Sequence, residues 1–120
     1  MRPMGDITQD HINNEIRASV KLCKTGAHKN IVAVFDLGNL PNTIFYFIDM
    51  ELCDMNLDTY IYSRSTPKLV DKIPYFFNAT ATERAAQIKN IMLDIANGLV
   101  FIHDHNEVHR DLKPHNGRLK

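Results

Sequence analysis

Residues 108–116 read Val108-His109-Arg110-Asp111-Leu112-Lys113-Pro114-His115-Asn116, and this stretch decides how the rest of the chain is read. In an extended segment alternate side chains share a face. Asp111 and Lys113 are therefore expected on one side, and Leu112 on the other, toward a core. A carboxylate and an ammonium group presented together suit a site that moves protons and stabilises negative charge.

The segment before it is the best-defined element. Ile88, Ile91, Met92, Ile95, Leu99 and Ile102 recur at helical spacing, which predicts an amphipathic helix over 81–103. Thr80 and Glu83 form a capping box at its start. Gly98 interrupts the stripe and costs about 1 kcal/mol relative to Ala, which close packing against a neighbour would explain.

Further upstream, Ile12, Ile16, Val20 and Cys23 predict a helix over 8–25, with Lys21 and Lys24 in its last turn and Gly26 as its C′ residue. Ile31–Phe35 and Ile44–Ile48 read as two β-strands separated by Asn39, Pro41 and Asn42, most simply an antiparallel hairpin. A short helix is expected over 54–62. Residues 63–82, with Ser63-Arg64-Ser65-Thr66-Pro67 and then Pro74 and Asn78, read as a loop. Tyr75-Phe76-Phe77 would anchor it to the core.

The eight residues His109–Asn116 resemble the catalytic loop of eukaryotic-type protein kinases at every fixed position, and the Asp-x-Lys-Pro-x-Asn wording resembles the serine/threonine branch. Three upstream stretches keep the family's order. Asn14-Glu15-Ile16 resembles its regulatory helix. His28-Lys29-Asn30-Ile31-Val32 resembles the entry to the following strand, with Lys29 where Pro is usual. Tyr46–Cys53 resembles the strand running into the hinge. The resemblance implies an α+β, partial kinase-like fold: one helix and a two-strand hairpin of the small lobe over 1–50, a hinge over 51–54, and helices of the large lobe over 55–120.

The same resemblance implies roles. Asp111 would accept the substrate hydroxyl proton, and Lys113 would stabilise the transferred phosphoryl group. Asn116 would hold magnesium through its amide oxygen. Met50 would be the gatekeeper, with backbone groups of Glu51 and Cys53 toward the adenine of ATP. Glu15 would pair with a lysine that holds ATP phosphates. The implied partner is a protein substrate.

Parts of the family pattern are not found in these 120 residues. There is no Gly-x-Gly-x-x-Gly loop, no Val-Ala-Ile-Lys strand ahead of Glu15 and no Asp-Phe-Gly after Asn116. The stretch thus reads as the middle of a kinase domain, and is expected not to transfer phosphate by itself. A strand edge left open would invite association. The alternative is a non-catalytic, kinase-derived binding or regulatory module. A zinc site from His103, His105, His109 and His115 lacks an organised ligand set.

Composition narrows the rest. Fourteen Lys and Arg balance 14 Asp and Glu. Residues 31–62 hold Asp36, Asp49, Glu51, Asp54 and Asp58 and no basic residue, which argues against nucleic acid as partner. Cys23 and Cys53 make no disulfide framework or metal knuckle. The least charged stretch, 37–48, is too short and broken to span a bilayer. No membrane partner, and a cytoplasmic or nuclear, intracellular setting, are therefore expected.

Overall fold

The computed structural model describes residues 9–62 and 66–120. The expected helix start at Thr8 and the loop residues Ser63, Arg64 and Ser65 lie outside them. The architecture is α+β, with two small antiparallel sheets among five α-helices and a 3-10 turn in the described residues. The chain divides into two compact units, Met1–Glu51 and Leu52–Lys120.

In the first unit, α1 runs Gln9–Leu22. Its inward line is Ile12, Ile16, Ser19 and Leu22; Val20, expected on that line, is 51% exposed. The helix stops before Lys24. Gly26 instead serves a turn closed by the Ala27 amide on the Lys24 carbonyl at 2.9 Å. Its φ of +76° is one that only glycine takes without strain.

Strands β1 (Val34–Asn39) and β2 (Tyr46–Met50) form the antiparallel hairpin. Both begin two or three residues later than the apolar runs suggest. The Ile31 amide closes a turn on the His28 carbonyl and the Ala33 amide is taken by Glu51 Oε1 at 2.9 Å, so pairing starts at Val34. A bulge lies between Val34 and Asp36 and sets Asp36 opposite Asp49. At the far end Gly38 faces Phe47. A Cβ at Gly38 would meet the Phe47 ring at 3.2 Å, so the close approach excludes other side chains without a shift.

In the second unit, the element expected over 54–62 splits. Met55–Asn56 is a strand, β3, paired with β4 (Arg118–Leu119), and only Leu57–Ile61 is helical, as α2. Asn56 caps α2, its side-chain oxygen accepting the Thr59 amide at 2.8 Å and the Thr59 hydroxyl at 2.9 Å. The stretch read as a loop contains two short helices, α3 (Pro67–Lys72) and α4 (Pro74–Phe77). Each starts on a proline at N1, where the missing N–H costs nothing, and Thr66 caps the first. Phe76 provides the expected anchor, edge-on to Tyr60 with centroids 5.8 Å apart.

The long helix α5 spans Ala81–Asp104 and begins with the capping box of Thr80 and Glu83. Hydrogen bonds from the Thr80 backbone and hydroxyl hold the Glu83 carboxyl below its usual range. Its inward line is Gln87, Ile91, Ile95, Gly98 and Ile102, with Gln87, Gly98 and Ile102 buried. Ile88 and Met92, expected inward, are exposed. By length and composition α5 is apolar enough to cross a membrane, but Gln87, Lys89, Asn90, Asp94 and Asn97 are distributed along it.

Candidate functional site

The stretch that opened the sequence reading forms an exposed loop after α5, ending in a 3-10 turn over Pro114–Asn116. Backbone geometry makes it compact. Arg110 has φ +62°, a left-handed conformation uncommon for a non-glycine residue. It folds the chain so that the Asp111 amide donates to the His109 carbonyl at 2.9 Å and lies 3.3 Å from His109 Nδ1. Strand-like alternation therefore fails here, and Leu112 is exposed rather than packed into a core.

Asp111 and Lys113 nevertheless meet. Lys113 Nζ lies 3.2 Å from Asp111 Oδ2. The side-chain amide of Asn116 donates to the same Oδ2 at 3.0 Å and to the Asp111 carbonyl at 2.9 Å. One carboxylate oxygen is thus shared by an ammonium and an amide, five residues of chain being wrapped around it. About half of the Asp111 and Lys113 side-chain surface faces solvent. An ion pair so exposed is worth about 0–1 kcal/mol, so an incoming charged group can displace the lysine cheaply. The amide nitrogen of Asn116 faces Asp111, and its oxygen is not used in these two bonds.

The loop is moored at its exit. The Leu57 amide donates to the Gly117 carbonyl and the Asp54 amide to the Leu119 carbonyl, both at 2.9 Å. A Cβ on Gly117 would meet Leu57 Cβ at 3.2 Å. Asn56 Nδ2 lies 3.4 Å from His115 Nδ1. In the sequence Asn56 carries no site signal beyond that of a cap residue ahead of α2.

The other expected site residues sit elsewhere. In the first unit Glu15 accepts a hydrogen bond from the Tyr46 hydroxyl. That bond, burial and the carboxylate charge push the Tyr46 pKa up to about 12. Met50 pairs across the hairpin with Val34. The Glu51 amide donates to the Ala33 carbonyl at 2.9 Å, so this donor is committed to the fold. Cys53, in the second unit, is half-buried and not in a disulfide, as is Cys23 in the first. Burial pushes the Cys23 thiol up, which disfavours the reactive thiolate.

His105 Nδ1 is 2.8 Å from the Phe101 carbonyl and its ring packs on Phe101. Among the described residues no group of three His, Cys, Asp or Glu is placed to hold a metal ion.

The protein kinase domain family matches residues 3–117. The chain belongs to that family. It is 30% identical to a serine/threonine-protein kinase/endoribonuclease of Arabidopsis thaliana over 92% of its length. It is 33% identical to calcium-dependent protein kinase 6 of Plasmodium berghei over 88%, and 32% identical to the serine/threonine-protein kinase atg1 of Dictyostelium discoideum over 89%. The chain spans 14%, 6% and 13% of those relatives' own lengths. No solved structure gives a significant match.

Proposed function

We propose that this chain carries the phosphoryl-transfer loop of a serine/threonine protein kinase. The observation that carries the reading is the shared oxygen: Asp111 Oδ2 lies within 3.2 Å of Lys113 Nζ and 3.0 Å of Asn116 Nδ2 in an exposed loop. Similarity to relatives named as serine/threonine kinases supports the same class.

Each group has a task suited to its chemistry. The Asp111 carboxylate takes the proton of a serine or threonine hydroxyl as that oxygen bonds to the γ-phosphorus of ATP and the bond from that phosphorus to ADP breaks, ADP leaving. Lys113, freed from its weak pair, turns its charge to the phosphoryl oxygens. The Asn116 amide oxygen is a hard ligand of the kind magnesium takes and would hold the ion, leaving the Asp111 carboxylate as the base. Magnesium, when bound with ATP, supplies positive charge to the phosphate oxygens. The side-chain amide of Asn116, bonded to Asp111, keeps that ligand and the base in fixed relation. The adenine-facing role of Met50, of the Glu51 carbonyl and of Cys53 belongs to the same proposal, the Glu51 amide being bonded to Ala33.

The test is transfer of radiolabel from ATP to casein with magnesium present, by a kinase domain completed around these residues. Asp111→Asn is expected to reduce transfer about 10²- to 10⁴-fold, the worth of a general base. The 120 residues alone are expected to show none. Unchanged transfer in Asp111→Asn would overturn the assignment. Transfer absent even from the completed domain would favour a non-catalytic binding module.

A further inference from the structure

We infer that Asn56 is a positioning residue for the catalytic loop, acting through His115. This rests on the reading of Asp111 and Asn116 as the reacting and metal-holding groups.

Asn56 stands at a junction. Its Oδ1 is fully committed to α2, accepting from the Thr59 amide and hydroxyl. That fixes the side-chain plane and turns Nδ2 outward. There it reaches His115 Nδ1 at 3.4 Å, the residue beside Asn116. The backbone reinforces the link on the same side of the loop. Asn56 pairs with Arg118 in the β3–β4 ladder, and the Leu57 amide holds the Gly117 carbonyl. An amide is suited to this junction because one end accepts and the other donates. Serine caps a helix as well as asparagine does but is too short to reach His115 and carries no N–H.

The 3-10 turn that His115 anchors also sets Asn116. The Asn116 amide donates to the Lys113 carbonyl at 3.0 Å, and its side chain holds Asp111. A turn free to rock would carry Asn116 and Asp111 out of register, and small misplacements of reacting groups cost rate steeply. Asn56 therefore passes order from the start of α2 to the catalytic carboxylate without touching it.

Amide hydrogen exchange on the full chain separates this role from simple helix capping. Asn56→Ser is expected to leave exchange at Tyr62, the last amide bonded in α2, unchanged. The same variant should speed exchange at Asn116 and Gly117 about 2- to 10-fold, the worth of one hydrogen bond. His115→Ala should do the same, and the double variant should add nothing further. In a kinase domain completed around these residues, Asn56→Ser should lower kcat with little change in KM for ATP. Unchanged exchange at Asn116 and Gly117, or additive effects of the two substitutions, would overturn the inference. Exchange is read without turnover, so absence of kinase activity would remove the catalytic reading and leave the structural link decided on its own.

Discussion

The hydroxyl of Tyr60 donates to Gln87 Oε1 at 2.8 Å, and both residues are 3% exposed. The bond joins α2 to α5 across 27 residues of sequence. Gln87 then donates to the Tyr75 carbonyl at 2.9 Å, which draws in α4, and Arg84 covers the Tyr60 ring. A small core is thus pinned by a satisfied polar group, where one removed partner leaves a buried orphan.

Tyr60→Phe is expected to cost about 1–3 kcal/mol of unfolding free energy, because Gln87 Oε1 loses its donor inside the fold. Urea denaturation monitored by circular dichroism measures it. A change within a few tenths of a kcal/mol would mean that water replaces the hydroxyl.

Tyr46 gives a second test. Its folded pKa, about 12, lies above the value near 10 of an unfolded tyrosine. The stabilising contribution is therefore complete below pH 10 and is lost as pH rises toward 12. Tyrosinate absorbance should show Tyr46 titrating well above pH 10, and Glu15→Gln should bring its midpoint back toward that of a free tyrosine.

Glu83 titrates with the opposite sign. Its folded pKa is lowered from 4.5, so its contribution is present above that pH and fades as pH falls through the folded value. Glu83→Gln keeps an acceptor for the capping box and should flatten stability against pH in that acid range. An equally steep acid limb in the variant would assign it to other carboxylates.

Asp36 and Asp49 face each other across the hairpin. Like charges directly opposite destabilise a pair of strands. Asp49→Lys should stabilise the protein by about 0.2–1 kcal/mol, with the gain shrinking in high salt. Thermal melts at two ionic strengths check both parts.

Phe35, Ile44, Phe45 and Met50 lie exposed on the hairpin. Apolar surface on a two-stranded sheet favours association. Sedimentation of the 120-residue chain is expected to show oligomers, and Ile44→Lys to shift the distribution toward monomer. A concentration-independent wild-type monomer would remove this expectation.

Local signals were legible where one short segment decides its own conformation. The Thr80–Glu83 box marked the start of α5 correctly, since all its partners lie within one turn. The hairpin was legible as two β-branched runs around turn residues, but its register was not. The Ala33 amide bonds to Glu51, 18 residues away, and no local pattern contains that. Pro67 and Pro74 look like loop markers in the sequence, although each begins a short helix. The stripe on α5 was half right because periodicity finds an apolar face, whereas burial depends on what packs there. Gln87 turns inward because Tyr60 and Tyr75 satisfy it.

By itself the sequence determined the family, the helix before the loop and the spacing of Asp111, Lys113 and Asn116. These follow from residue types at fixed spacing. Only the tertiary structure decided that Asn116 and Lys113 converge on one oxygen of Asp111, that Leu112 faces solvent, and that Asn56 moors the loop from nearly sixty residues upstream. The reason is physical. A left-handed Arg110 reverses the chain direction locally, and the β3–β4 pairing joins segments whose attraction is written in backbone hydrogen bonds rather than in side-chain pattern.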